Sequence, residues 1–477
     1  MSDFGGWRGK TLRVDLSTGE ISTEDTINKY MDFLGGTGLA YKVLWDEVPP
    51  GTDPWDPENR LIFGIGPLTG TGALMTSRVS ITSFSPVNYM ALHSDGHMGG
   101  HWGAELKFAG WDSIIIQGKA DRPVWLSIED EKVQIRDAKH LWGSGIFRAT
   151  TEICEEMGPE AHVAAIGQAG ENLVRMSTIM CDRSHSGGGH GSVMGAKNLK
   201  AIGVRGTGSI RIKEEPRKWK ELVQHSLYLL GANSGAMVPA TPQPWAEYYG
   251  RSRWNTRKGF YWGSASPPVE TGICSADDLN RIGYRTHKAA FDHGDEIGQR
   301  YCVRGGGCYG CPIKCHPLME VPDLEQYGVS RFQSNTCLGN SFGRMFFKNP
   351  QRGTKKALML SQLGSAIADD YGIWSGYGLL MNDFMHAYNN GILKKNVPSK
   401  EYESVKWDLM EKEDPRFLFD IMKRFANREG EIGAFLADGA SILEEKYPEF
   451  KDLHQHGPSL GCFKLGHRTH HGSSQLG

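Results

Sequence analysis

The pattern of hydrophobic and polar positions changes near residue 210. Before that point, short apolar runs bounded by turn residues predict strands at 61–64, 113–117, 163–166 and 199–205. They also predict a hairpin over 124–136 that turns at Glu129 and Asp130, with helices at 147–157 and after Gly103. Beyond residue 210, apolar residues recur every three to four positions, which predicts helices at 215–230, 277–300, 355–370, 377–390 and 415–428. The pattern therefore predicts an α+β fold, with a β-rich N-terminal domain followed by mainly helical domains.

The length of 477 residues predicts about three domains. We expect a β-rich domain at 1–210, a mainly helical domain with a cysteine loop at 211–400, and the start of a second helical domain at 401–477. Residues 241–272 are rich in Trp, Tyr, Gly and Pro, which is typical of a loop that forms one wall of a site.

The charge balance limits the kinds of partner. Lys plus Arg number 53 and Asp plus Glu number 55, for a net charge of −2, which argues against nucleic acid or an anionic membrane as a partner. No apolar run is long enough to span a bilayer, and the start of the chain lacks the pattern of a signal peptide. Nine cysteines are too few for a disulfide scaffold. We therefore expect a cytoplasmic protein.

Glycine is enriched and clustered. The chain has 61 glycines, about 13% against an average near 7%. They concentrate at 35–38, 64–72, 96–103 and 187–191. Such loops let backbone amides approach a large anionic or polycyclic ligand, although tight turns of a β-rich domain are the alternative. None of them has the Gly-Lys-Ser/Thr ending of a P-loop or the dinucleotide fingerprint.

The strongest chemical signal is a run of three cysteines, Cys308, Cys311 and Cys315, spaced C-x2-C-x3-C. This spacing lets three thiolates converge on one [4Fe–4S] cluster. A structural zinc site is the alternative, but zinc sites usually show a second ligand pair at matching spacing, and none follows here.

Several stretches resemble the aldehyde:ferredoxin oxidoreductase family, in an uncharacterised branch. The matching motifs are Gly35-Gly-Thr-Gly38, Gly66-Pro-Leu-Thr-Gly70, Ser77-Arg78-Val, Met98-Gly-Gly-His-Trp-Gly-Ala-Glu-Leu-Lys-Phe-Ala-Gly110, residues 165–172, residues 191–202, the cysteine run and Asp370 with its neighbours. They occur in family order over nearly the whole chain. The resemblance implies a bis-molybdopterin-type cofactor that holds tungsten or molybdenum beside one [4Fe–4S] cluster, and it makes the N-terminal domain cofactor-binding.

The resemblance also implies residue roles. Arg78 matches an arginine that contacts pterin phosphate, and Arg183 and Ser184 match the start of a second phosphate loop. His97 stands where the family has an asparagine at a bridging Mg²⁺, and imidazole is a poor ligand for so hard a cation. The stretch 369–373 resembles the D-x-x-G-L motif that binds pterin amino groups, and a helix C-cap at Gly372 suits it equally. The candidate cofactor-binding residues of these motifs and glycine clusters are Arg78, His97, Gly99, Gly100, Arg183, Ser184, Gly187, Gly188, Gly189, Gly191, Asp369, Asp370, Gly372 and Ile373.

The fourth cluster ligand has no counterpart. The family's ligand lies far downstream, and Cys462 lacks its motif. We therefore expect the chain to be a fragment, or one half of a split protein. Cys337 is a candidate fifth ligand of the pterin metal, by loose analogy with the benzoyl-coenzyme A reductase branch. A buried thiol packed as a small hydrophobe is the alternative.

Acid–base candidates are fewer. Glu325 falls where the family has a glutamate near the metal, and burial would raise its pKa enough for a base. An exposed loop glutamate is the alternative. Glu247, in the aromatic loop, is a second candidate. His470 and His471 lie near the family's catalytic histidine, although a solvated polar tail explains them as well.

The resemblance thus predicts an oxidoreductase that interconverts an aldehyde and a carboxylic acid. Electrons leave through the cluster to a ferredoxin-like carrier or an iron–sulfur subunit, and we expect a homo- or hetero-oligomer that acts on a small-molecule substrate. An incomplete metal-binding subunit, acting as scaffold or electron conduit, is one alternative. A reductase of the benzoyl-coenzyme A type is another. That branch carries a histidine in a W-H-T motif, and Trp254-Asn255-Thr256 lacks it, which counts against this alternative.

Overall fold

The structure is a computed structural model. It describes residues 4–86, 93–182, 185–213, 215–229, 254–255, 259–260, 301–304, 306–311, 318–334, 347, 355–374, 384–385, 387–438 and 448–451. The predicted helix at 277–300 lies outside these ranges, as does most of the one at 377–390.

The first of two six-stranded sheets contains the N-terminal strands β1 to β6, in the order β2-β1-β6-β3-β4-β5. Strand β1 pairs in parallel with β6, and the other pairs are antiparallel. The strands span Lys10–Asp15 (β1), Ile21–Asp25 (β2), Leu61–Gly64 (β3), Val79–Phe84 (β4), His93–Met98 (β5) and Ser113–Gln117 (β6).

The second sheet contains β7 to β12, in the order β11-β10-β9-β12-β7-β8. Its strands span Val124–Glu129 (β7), Lys132–Asp137 (β8), His162–Ala165 (β9), Thr178–Cys181 (β10), His185–Gly188 (β11) and Leu199–Arg205 (β12). The predicted hairpin is present, and Asp130 turns it with φ +51°. Both sheets share one core, in which Ile114 and Phe63 of the first sheet join Ile202 and Ile179 of the second.

The edge strands β5 and β11 meet at glycines. A Cβ on Gly96 would lie 2.7 Å from the carbonyl oxygen of Gly188, and one on Gly187 would lie 2.6 Å from Cδ1 of Ile81. Two of the glycine clusters predicted to be ligand loops are therefore partly strands, and glycine is needed there because the two backbones approach so closely.

The helices of the N-terminal part are Thr26–Tyr30 (α1), Gly36–Glu47 (α2), Trp102–Phe108 (α3), Ile146–Met157 (α4), Gln168–Glu171 (α5) and Gly191–Ala196 (α6). Helix α7 covers Pro216–Leu229. Three short strands, Cys302–Arg304 (β15), Leu318–Glu320 (β16) and Phe332–Ser334 (β17), form a small antiparallel sheet, and a pair of two-residue strands covers Trp254–Asn255 (β13) and Gly259–Phe260 (β14).

The C-terminal part is helical, with Lys355–Tyr371 (α8), Ile392–Asn396 (α9), Ser399–Ser404 (α10), Trp407–Glu411 (α11), Arg416–Asn427 (α12) and Gly430–Asp438 (α13). Leu363, Phe417 and Phe435 pack in one core with Val174 and Met176 of the N-terminal part. The α+β fold class is confirmed, and the domain boundaries at 210 and 400 stay predictions. Among the described helices, none is long and apolar enough to cross a membrane.

Candidate cofactor site and cysteine loop

The end of helix α8 is joined to the second sheet. Gly372 follows the helix with φ +72°, and a Cβ there would lie 2.8 Å from the amide nitrogen of Gly167. The Gly372 carbonyl accepts a hydrogen bond from the Thr178 amide at 2.9 Å, and the Trp374 amide donates to the Met176 carbonyl at 2.8 Å. The helix C-cap considered for Gly372 is present, because the Ile373 amide donates back to Ala368 at 2.8 Å.

The two adjacent aspartates of this turn have different surroundings. The Asp370 carboxylate accepts a hydrogen bond from the Phe147 amide at 2.8 Å, and so caps the start of helix α4. Asp369 is only 4% exposed. Within the described part of the chain, its carboxylate has neither a hydrogen-bond donor nor a basic partner. Burial, and then the charge of Asp370, raise its pKa well above the usual range. Asp369 is therefore a buried acid with unused acceptor capacity.

The glycine run at 187–191 lies against this turn. A Cβ on Gly188 would overlap the indole of Trp374 at 2.2 Å, and one on Gly191 would lie 2.8 Å from Oγ of Ser177. The buried hydroxyls of Ser177 and Ser192 have no hydrogen-bond partner among the described residues. Unpaired buried polar atoms of this kind are what a bound polar ligand would satisfy.

Arg78, the residue immediately before strand β4, lies next to His97 of strand β5. The Arg78 guanidinium donates to the His97 carbonyl at 3.0 Å. Nε2 of the His97 ring lies 2.7 Å from a carboxylate oxygen of Asp95, whose other oxygen accepts from the Tyr41 hydroxyl at 2.6 Å. The network orients the His97 ring, and it places two basic side chains at the edge of the first sheet.

His190 was not selected from the sequence. It is fully buried between the sheets, and its Nδ1 lies 2.8 Å from Oγ of Ser83. Burial lowers its pKa to about 4, so the ring is neutral at physiological pH. A lone histidine among glycines gives no sequence signal for this state.

The cysteine loop packs on the turn that follows strand β5. The Tyr309 amide donates to the Gly100 carbonyl at 3.1 Å, and Nε2 of His101 lies 3.2 Å from the Gly307 carbonyl. Cys308 and Cys311 are half-buried and belong to one tight turn, in which the Cys311 amide donates to the Cys308 carbonyl at 3.1 Å.

Behind the same turn lies Cys181, which the sequence did not select. Its thiol donates to the Gly99 carbonyl at 3.0 Å. Burial raises its pKa, and the charges of Asp182 and Cys308 raise it further, so this cysteine stays a thiol.

Several candidates lie outside the described residues: Glu247, His470, His471, Arg183, Ser184, Cys315 and Cys337. Because Cys315 is one of these residues, the three-cysteine run is only partly described. Within the described ranges, no set of three or more His, Cys, Asp or Glu side chains is arranged to hold a metal. Glu325 is described, and its side chain is 56% exposed and 3.8 Å from Arg331. The side chain is therefore not buried, and its exposed position matches the alternative considered for this residue.

Comparison with known proteins identifies the family. The model of the aldehyde ferredoxin oxidoreductase N-terminal domain matches residues 11–206, and the model of domains 2 and 3 matches residues 247–465. The chain is 33% identical to a tungsten-containing aldehyde ferredoxin oxidoreductase of Pyrococcus horikoshii, over 93% of this chain and 68% of that protein. It is 28% identical to the WOR-like subunit of an aliphatic sulfonate oxidoreductase of Pyrococcus furiosus, over 94% of this chain and 68% of that protein.

Among solved structures, the active-site complex BamBC of benzoyl coenzyme A reductase, in complex with 1,5-dienoyl-CoA, is similar with a TM-score of 0.70 and 28% identity. The match covers 95% of this chain and 65% of that one, so the chain spans about two thirds of the length of these relatives. The predicted family is confirmed: the chain belongs to the aldehyde ferredoxin oxidoreductase family of tungsten-containing oxidoreductases.

Proposed function

We propose that this chain is the catalytic part of a tungsten- or molybdenum-pterin oxidoreductase that interconverts an aldehyde and a carboxylic acid. The observation that carries the proposal is Asp369, a buried carboxylate with unused acceptors on a turn that matches the family's pterin-binding motif. Leaving such a group buried costs about 1–3 kcal/mol unless a ligand provides donors.

The residues present fit the cofactor. A pterin presents amino and ring N–H donors, which the Asp369 carboxylate accepts. It also carries phosphate, which suits the guanidinium of Arg78. The Gly187–Gly191 backbone and the unpaired hydroxyls of Ser177 and Ser192 leave polar groups for the same ligand.

Cys308 and Cys311 fit two corners of a [4Fe–4S] cluster, with Cys315 as the third. Their turn lies against Gly99–His101, immediately after the strand that carries His97. We therefore propose that the electron exit lies beside the pterin phosphate site. The bound metal would supply the two-electron chemistry, while the chain binds and orients it and excludes water. Whether a bridging Mg²⁺ is present is left to metal analysis. The His97 ring, which stands where the family has an asparagine at this ion, is hydrogen-bonded to Asp95.

The relatives' names support further partners. One is a subunit of a larger oxidoreductase, and another is part of a complex. We therefore propose a ferredoxin-like carrier or an iron–sulfur subunit as the electron acceptor, in a homo- or hetero-oligomer.

The decisive experiment is metal and pterin analysis of the protein purified without oxygen. About four irons and one tungsten or molybdenum per chain, with pterin, would support the proposal. Asp369→Asn should then lose most of its pterin and heavy metal while it keeps its iron, because only the pterin contact is changed. Zinc alone, or pterin retained in full by Asp369→Asn, would contradict it.

A second candidate is a reductase of an aromatic acyl-coenzyme A, favoured by the similarity to BamBC. Incubation of the metal-containing protein with a dienoyl-CoA and an artificial electron acceptor, beside a panel of aldehydes, distinguishes the two. Turnover of the thioester alone would replace the aldehyde proposal.

A further inference from the structure

The turn at Gly99–His101 is held from two sides. On one side, the end of strand β10 is hydrogen-bonded to it. The Cys181 thiol donates to the Gly99 carbonyl at 3.0 Å, and the His101 amide donates to Asp182 at 2.8 Å. On the other side, the cysteine loop docks on it through the Tyr309 amide and the Gly307 carbonyl.

Asp182 organises this arrangement. Its second carboxylate oxygen lies 2.7 Å from Nδ1 of His162, and the ring centroids of His162 and His101 are 5.4 Å apart with an interplanar angle of 34°. Asp182 adopts φ +50°, a left-handed conformation that aspartate enters more readily than most non-glycine residues.

His101 makes the remaining contacts to the loop. Its Nε2 lies within hydrogen-bond distance of the Gly307 carbonyl, and its ring meets the edge of Tyr309 at 6.1 Å. Phe108, at the end of helix α3, also contacts the Tyr309 ring, with the ring centroids 5.7 Å apart. The loop is confined at Gly310 as well, where a Cβ would lie 3.3 Å from the Ala73 carbonyl.

We propose that His101, fixed by Asp182, is a positioning residue that clamps the cysteine loop to the cofactor domain. The clamp keeps Cys308 and Cys311 beside the end of strand β5, near His97 and the Arg78 side chain that donates to it. The proposal rests on the proposed function in one respect, since the purpose of the clamp is to hold the cluster near the pterin. The clamp itself is a property of the polypeptide.

Hydrogen exchange tests the clamp in both the iron-containing and the chelator-stripped protein. In His101→Ala, amides at 306–311 should exchange about three- to tenfold faster than in the unaltered chain, because one hydrogen bond of about 1 kcal/mol and a ring contact are lost. His101→Gln keeps a donor near Nε2 and should restore most of the protection. Asp182→Asn should give an intermediate rate. His140→Gln, at an exposed histidine near Glu152, is the matched control and should change nothing at 306–311.

In the iron-containing protein, His101→Ala should release iron to a chelator faster, and the midpoint potential of the cluster should change because a loosened loop alters the solvent exposure of the cluster. His101→Gln should shift it less. Unchanged exchange at 306–311 in stripped His101→Ala would overturn the clamp. An unaltered protein that binds no iron would instead overturn the proposed function, while the exchange data would still decide on the clamp.

Discussion

Buried charges are treated differently in two regions of this molecule. At the end of helix α3, Nζ of Lys107 is paired with Asp112 at 2.6 Å and also donates to the Gly6 carbonyl. At the end of helix α8, Asp369 is equally buried but has no donor or cation among the described residues. Removing one partner of a buried ion pair is strongly destabilising, whereas an unpaired buried carboxylate costs stability until a ligand provides donors. The comparison therefore separates residues on which the fold depends from a residue that suits a ligand.

The largest expected effect comes from breaking the satisfied pair. Lys107→Met should lower the free energy of unfolding by about 3–5 kcal/mol, because Asp112 would be left buried without its cation. Urea unfolding monitored by circular dichroism measures it. Lys42→Met removes only an exposed pair with Asp46 and serves as the control, with an expected loss of about 0.5 kcal/mol. A loss below about 1 kcal/mol for Lys107→Met would break the comparison.

His190 should give a pH dependence of the opposite sign to that of Asp369. Its pKa falls from 6.5 to about 4 on folding because burial disfavours the charged ring. Protons therefore bind the unfolded chain more readily, and stability present above pH 6.5 is lost as the pH falls towards 4, by about 3 kcal/mol in total. Unfolding of the metal-free protein from pH 7 to pH 4 should show this loss, and His190→Gln should abolish it. Equal slopes in the two proteins would mean that the histidine is accessible to protons.

Asp369 sharpens the comparison most directly. Its folded pKa is raised, so its protonated form is favoured in the folded state, and stability is gained as the pH falls through that pKa and lost as the pH rises. Asp369→Asn should therefore stabilise the metal-free protein at neutral pH by about 1–3 kcal/mol, and the gain should disappear in acid. Paired denaturation curves from pH 4 to pH 8 measure it. Destabilisation at neutral pH would show that Asp369 has a structural partner.

The smallest effect on the free energy of unfolding is expected at the neighbouring residue, Asp370. Asp370→Ala should cost about 1 kcal/mol at neutral pH, because helix α4 loses the acceptor for its Phe147 amide. Pterin content should change far less than in Asp369→Asn. If Asp370→Ala lost the pterin and Asp369→Asn kept it, the roles of the two neighbours would be exchanged.

The sequence identified much of this architecture because local patterns encode it. Strands 61–64, 113–117 and 199–205 and the helices at 147–157, 355–370 and 415–428 appear within a residue or two of their predicted bounds. The glycine clusters at 96–103 and 187–191 were harder, since strands β5 and β11 carry glycine for close backbone approach and so lack the usual strand residues.

The site was only partly predictable for the same reason. The motif at 369–373 located the turn, but which aspartate caps helix α4 depends on Phe147, more than 200 positions away in the sequence. The contacts of His101 with Asp182 and with Gly307 likewise join three distant segments. Glu325 shows the converse: from the sequence it was either a buried base or an exposed loop residue, and the packed structure shows the exposed position.

The contact between Gly188 and Trp374 has a consequence for how the protein is made. The indole and the Gly372 carbonyl complete one side of the second sheet, yet they leave the ribosome long after strand β12. At a synthesis rate of about 5–20 residues per second, roughly ten to thirty seconds pass between the synthesis of strand β12 and that of Trp374. During that interval the nascent chain exposes the unfinished side of the second sheet at β10 and β11.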